Sequence, residues 1–191
     1  MQFAGNKDLE ERFTRRERVF DGYILHIDHA EVTLPNGQKA MREIANHIGA
    51  SAVLPVDDNG MVTLVRQYRA PVEKVLLEIP AGKLDAPGED RLAAAQRELQ
   101  EETGLTAQNW IHLTDIATTP GFSSEIISLY LARQLSKGET HPDEDEFLSI
   151  VTLPFADAVS MALSGEITDA KTICALLMAG QYVNGGKHES I

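Results

Sequence analysis

The sequence predicts an α+β fold, and three observations carry that reading. Short apolar runs are punctuated by Asn-Gly-type turns, which is the signature of strands and hairpins. One long proline-free stretch of strong helix formers, Asp90 to Thr103, is closed by Gly104. The order of strands and helices lacks the regular alternation of a doubly wound parallel sheet.

In chain order, residues 1 to about 18 are polar and charged (Asp8-Leu9-Glu10-Glu11-Arg12, Thr14-Arg15-Arg16-Glu17-Arg18) and are expected to form an exposed arm. From Tyr23 to Ile44, apolar runs flank Pro35-Asn36-Gly37, so a β-hairpin is expected. Ala52 to Val56 and Met61 to Val65, joined by Asp57-Asp58-Asn59-Gly60, read as a second hairpin. Val75 to Ile79 is a short strand ending at Pro80-Ala81-Gly82, and the helix of Asp90 to Thr103 follows. Strands are expected again at Trp110 to Thr119, Ile126 to Ala132 and Leu148 to Leu153. Helices are expected at Phe155 to Leu163 and Asp169 to Val183.

With 191 residues, 43% of them hydrophobic, the chain suits one domain or a small arm plus one domain. No run reaches the roughly 18 apolar residues of a membrane span, and the N-terminus lacks the basic start and apolar run of a signal peptide, so a soluble, cytoplasmic protein is expected. The lone Cys174 excludes an intramolecular disulfide and a multi-cysteine zinc site, and reads as a small core residue. A formal net charge of −12 argues against nucleic acid and anionic membranes as partners. Acidity of this kind still permits action on phosphates when metal ions intervene. None of the six histidines has ligand spacing on an expected helix.

Glu98, Glu101 and Glu102 lie at i, i+3 and i+4 on the helix, within an arc of about 100°, on a surface expected to face solvent. Like charges at that spacing repel, and the nearby helix C-terminus also disfavours anions. Something cationic should compensate: Arg97 can relieve one carboxylate, and a hard divalent cation would use all three. A solvated acidic face is the plainer reading of these residues taken alone.

The surrounding residues decide between the two. Gly82-Lys83-Leu84-Asp85-Ala86-Pro87-Gly88-Glu89, then seven residues, then Arg97-Glu98-Leu99-Gln100-Glu101-Glu102-Thr103-Gly104-Leu105, resembles the signature of the Nudix hydrolases. One departure exists: six residues, where the pattern has five, separate Gly82 from Glu89. The resemblance implies a Nudix α/β/α sandwich with a mixed sheet, and metal-dependent hydrolysis of a nucleoside diphosphate linked to another moiety. It implies Mg²⁺, with Mn²⁺ as a substitute, bound mainly by Glu98 and Glu102. Glu101 would assist, the Ala81 carbonyl would complete a site, and Arg97 would orient a carboxylate. Glu89, about half a turn out of phase with Glu98, is better placed to support the loop or helix start.

Beyond that signature, Met41-Arg42-Glu43-Ile44, Val65-Arg66-Gln67-Tyr68-Arg69, Leu77-Glu78-Ile79-Pro80-Ala81-Gly82, Thr119-Pro120-Gly121-Phe122, Asp143-Glu144-Asp145-Glu146-Phe147 and Thr168-Asp169-Ala170-Lys171-Thr172 resemble the bacterial ADP-ribose pyrophosphatase subfamily. Pro120, fifteen residues after Leu105, stands where that subfamily carries its marker proline. The resemblance implies hydrolysis of ADP-ribose to AMP and ribose 5-phosphate. Arg69 would contact a phosphate, Arg42 and Glu43 the adenine or ribose, and Glu144 would be the general base with Glu146 beside it, the two roles being exchangeable. Glu125 is a weaker candidate near the metal or substrate. A homodimer is implied in which residues 1–45, arm and hairpin, exchange between protomers, with residues 46–191 as the hydrolase domain. Three alternatives stand beside this: another nucleoside diphosphate sugar such as GDP-mannose, a non-catalytic ADP-ribose sensor, and a structural acidic domain.

Overall fold

The computed structural model describes residues 7–138 and 147–183, and these form two compact units. The first comprises residues up to Ile48 with Thr119–Glu125. Its antiparallel sheet has the order β1 (Arg12–Asp21), β2 (His26–Thr33), β3 (Lys39–Asn46). The expected hairpin is β2–β3: Thr33 pairs with Lys39, and Gly37 at φ +84° lets the connection reverse. Residues expected to form an exposed arm are ordered from Arg12 onward as β1. Every residue of that strand is exposed, so its polar composition hid a real strand. What orders it is pairing across to β2: Arg18 donates to Asp28 at 2.6 Å and Thr14 to Glu31 at 2.8 Å. Segment 119–125 joins this unit through Ala45, whose N–H donates to the Phe122 carbonyl and whose carbonyl accepts from Ser124 N–H.

The second unit, Gly49–Thr118 with the residues from Ile126 on, is an α/β/α sandwich. A mixed sheet of order β7 (Ala81–Lys83), β4 (Ala50–Pro55), β9 (Ile126–Lys137), β8 (Leu105–Ala117) lies at its centre, with β4 and β9 parallel. An antiparallel sheet of order β10 (Leu148–Pro154), β5 (Met61–Arg69), β6 (Lys74–Glu78) stands beside it. All six residues of β4 are buried, and their alternation divides the core. Ala52 and Leu54 face the larger cluster with Leu129, Leu131 and the α3 residues Ala175, Leu176 and Ala179, where α3 is Ala170–Val183. Val53 faces the other way, against Leu99 of α1 (Arg91–Thr103) and Ala132. Helix α2 (Phe155–Ser164) contributes Phe155 and Ala158 to the larger cluster, and Cys174 packs at its margin as a free thiol.

The second hairpin expected from the sequence does not form. Its turn exists, with Asp57 N–H donating to the Met61 carbonyl at 2.9 Å, but only the bridge Val56–Val62 links the flanking strands. Both edges of β4 are occupied, by β7 and β9, so β5 departs into the neighbouring sheet to pair with β10 and β6. Strands β8 and β9 run longer than expected. A bulge between His112 and Thr114 breaks the alternation of β8 that would have marked its extent.

Helix α1 is fixed at both ends. The Asp90 carboxylate accepts from Ala93 N–H at 2.8 Å, and Gly104, at φ +67°, donates to the Gln100 carbonyl. Replacing the cap, Asp90→Ala, is expected to lower unfolding free energy by about 1 kcal/mol in a urea titration, with Asp90→Asn restoring all but a few tenths. Equal midpoints for Asp90→Ala and wild type would show that the cap contributes nothing.

Candidate active site on the carboxylate helix

The buried stripe of α1 consists of Ala94, Ala95, Glu98, Leu99, Glu102 and Thr103. Two of the three carboxylates therefore lie on its core-facing side, with Glu98 8% and Glu102 5% exposed, whereas Glu101 is half-exposed. This corrects the expectation of a solvent-facing acidic surface. Residues one turn apart share a face, so the pattern that aligned the carboxylates also aligned them with Ala94, Ala95 and Leu99.

Arg97 is the hub. Its Nη1 donates to Glu98 Oε1 at 2.6 Å and to Glu101 Oε2 at 3.2 Å, and its Nη2 donates to the Lys83 carbonyl at 3.1 Å. Asp85 and Glu89 stand 3.3 Å and 3.7 Å from the same guanidinium. Burial weakens the protonated form of Arg97, but Glu98 and Asp85 outweigh this and hold its pKa above the usual arginine range. Glu89 accepts from Asp85 N–H at 2.5 Å, as suits a residue that braces the loop before the helix. The loop that is one residue longer than the pattern contains a Pro-Gly turn: Gly88 has φ +85°, and Glu89 N–H donates to the Ala86 carbonyl.

Gly82, next to Ala81 on β7, lies against the Glu98 carboxylate, and a Cβ at Gly82 would collide with its oxygens. Together Gly82, Lys83, Asp85, Arg97, Glu98 and Glu101 line a concavity of about 310 Å³. Among the described residues no three Asp, Glu, His or Cys side chains are gathered so as to hold a metal ion, and Glu98 is engaged by Arg97. The donor set nevertheless suits a hard divalent cation: every side-chain donor is a carboxylate oxygen, and two of the three are buried with like charge, which a cation would relieve.

Beside this helix lies a second charged cluster. Arg69, at the end of β5, donates from Nε and Nη2 to the two carboxylate oxygens of Glu78, both at 2.8 Å. Glu78 is 1% exposed and also receives Lys171 Nζ from the first turn of α3. Lys171 in turn reaches Asp169 at 3.1 Å, and Asp169 accepts from Thr172 N–H and hydroxyl while Thr172 Oγ1 accepts from Ile79 N–H. Burial alone would raise the Glu78 pKa, but Arg69 and Lys171 reverse that and hold it below its ordinary value. The charge of Glu102 also acts on Arg69, so the two clusters share one field. Sequence reasoning left Glu78 and Lys171 without roles. The available signal was an acid inside the apolar run Leu77-Glu78-Ile79 and a base on the apolar side of a helix, since such residues are buried only when paired.

Of the remaining sequence candidates, Arg42, Glu43, Pro120 and Glu125 belong to the first unit. Arg42 forks onto Glu11, Glu43 faces His29 across β2–β3 at 3.5 Å, Pro120 is exposed in the turn after Thr119, and Glu125 lies 3.4 Å from His47. Glu144 and Glu146 lie outside the described residues.

A family model described as the NUDIX domain matches residues 45–176. The chain is 42% identical over 172 residues to the ADP-ribose pyrophosphatase of Bacillus subtilis (strain 168), covering 89% of this chain and 92% of that one. It is equally identical, with the same coverage, to the methanol dehydrogenase activator of Bacillus methanolicus. It is 37% identical over 172 residues to the ADP-ribose pyrophosphatase of Mycobacterium tuberculosis, covering 88% and 83% of the two chains. A crystal structure of an ADP compounds hydrolase superposes with a TM-score of 0.83 at 24% identity, over 94% of this chain and 97% of that one, a likeness of fold.

Two outcomes are expected from this geometry. Gly82→Ala, by displacing Glu98, should weaken Mn²⁺ binding in isothermal titration by about tenfold or more with little change in thermal midpoint; unaltered binding would show that Glu98 needs no such clearance. Because the Glu78 pKa is lower in the folded state, its contribution to stability is complete above the ordinary 4.5 and lost as pH falls through the folded value. Urea midpoints from pH 6 down to 3 should therefore fall less steeply for Glu78→Gln than for wild type, and parallel curves would refute the assignment.

Proposed function

The chain belongs to the NUDIX domain family, and from that premise we propose that it is a pyrophosphohydrolase that cleaves the diphosphate of ADP-ribose, giving AMP and ribose 5-phosphate. The observation that carries the reading is the pair of buried carboxylates one turn apart on α1, Glu98 and Glu102, of which Glu98 lies against Gly82 and is bridged to Glu101 by Arg97. The relatives named ADP-ribose pyrophosphatase supply the substrate.

In this reading Glu98 and Glu102, with Glu101 assisting and the Ala81 carbonyl completing the site, would hold Mg²⁺, or Mn²⁺ in its place. Such an ion would supply positive charge to the phosphate oxygens and acidify water. Arg97 keeps the Glu98 and Glu101 carboxylates aimed and ionised. Arg69 donates to a phosphate oxygen through the part of its guanidinium not engaged by Glu78. Glu144 accepts a proton from the attacking water, with Glu146 beside it or in its place, as the new oxygen–phosphorus bond forms and the bridging oxygen leaves with the other phosphate. Arg42, Glu43 and Pro120 contribute to the nucleoside side. Residues 46–191 serve as the hydrolase domain and residues 1–45 as a region exchanged within a homodimer. A cytoplasmic setting suits a nucleotide substrate, and no helix among the described residues is long and apolar enough to cross a membrane.

The test is a panel of ADP-ribose, GDP-mannose, UDP-glucose and NADH with Mg²⁺ and with chelator. ADP-ribose should turn over fastest and chelator should abolish turnover. A preference for GDP-mannose would select the rival sugar-nucleotide reading, and silence on all four would sink hydrolysis. In the same assay Glu102→Gln should lower kcat by about 10²-fold or more. Since it removes a buried like charge, the metal-free variant should melt no lower than wild type. A collapsed fold would make Glu102 structural.

A further inference from the structure

Arg69 forms its fork with a carboxylate that is 1% exposed, while its own side chain remains 40% exposed. A lone buried Arg–Glu pair is self-neutralising and would leave little attraction for a phosphate. Here a second cation shares the same carboxylate. Lys171, with its side chain 9% exposed, meets the same Glu78 carboxylate from α3 and is itself held by Asp169. Two of the five N–H bonds of Arg69 go to Glu78, and both of those use the Nε and Nη2 edge, so among the described residues Nη1 is left for another acceptor.

We propose that Lys171 and Glu78 are positioning residues for Arg69: Glu78 aims the guanidinium, and Lys171 takes up enough of the Glu78 charge for Arg69 to remain attractive to a substrate phosphate. This rests on the reading of Arg69 as the phosphate contact of a nucleoside diphosphate hydrolase. The geometry has a long reach in sequence, since the first turn of α3 sets the electrostatics of a residue about a hundred positions earlier, on β5. Removal of Lys171 should leave the negative charge of Glu78 and Asp169 to Arg69 alone, which weakens substrate binding and leaves the reacting groups in place.

The experiment is a double-mutant cycle on the full chain with Mg²⁺ and ADP-ribose. Lys171→Met, close in volume, should raise KM by about tenfold with kcat within about twofold, and Lys171→Arg should recover most of the loss. In an Arg69→Ala background, Lys171→Met should raise KM no further, because its effect passes through Arg69. An unchanged KM with only a lowered melting temperature, or the same KM increase in both backgrounds, would overturn the proposal. If Lys171→Met does not fold, Lys171→Gln takes its place, removing the charge while keeping a donor for Glu78. It should give a KM increase that again vanishes without Arg69, and persistence of that increase counts against the proposal. A wild type silent on every sugar nucleotide would overturn both this inference and the hydrolase reading. A wild type that cleaves ADP-ribose while Lys171→Met matches its KM would overturn this inference alone.

Discussion

The burial of negative charge governs the second unit. Glu78, Glu98 and Glu102 are each under a tenth exposed, a position carboxylates occupy only when cations or strong donors accompany them. Arg97 on α1 answers Glu98, and Arg69 and Lys171 from β5 and α3 answer Glu78. Charge thereby joins β5, β6 and α3, and Arg97 ties α1 to β7 through the Lys83 carbonyl. The helix that carries the carboxylates packs on β4 through Leu99 and Val53, so the same sandwich that buries the core also holds the acids.

The smaller features follow from that constraint. Gly82 lacks a side chain because the Glu98 carboxylate occupies the space one would need. The loop between β7 and α1 carries Asp85 and Glu89 to the Arg97 guanidinium. Arg97 thus joins loop and helix.

What could be read from the sequence was local. The helix, its caps, the first hairpin and the i, i+3, i+4 carboxylates all depend on residues within a few positions of one another, and the signature fixed their arrangement. What could not be read was the partner of each element. Asp57-Asp58-Asn59-Gly60 correctly announces a turn, yet whether β4 and β5 pair depends on β7 and β9, which compete for the edges of β4. The burial of Glu102 depends on which way α1 faces, and the Glu78–Lys171 contact spans 93 positions that no periodicity connects. Strand β1 escaped notice because its order comes from β2, while its own composition is that of an exposed tail.

The central position of β4 bears on how the chain acquires its structure. This strand emerges early from the ribosome, but its parallel neighbour pairs Ala50 with Ile127, 77 positions later, and a parallel ladder between such distant segments is among the slowest contacts to nucleate. Until β9 has been synthesised, an apolar β4 has an open edge, and α1 has an incomplete surface on which to settle its carboxylates. Completion of the sheet that carries the acidic site thus waits on β9, and a chain stalled before β9 would present an apolar strand with an open edge.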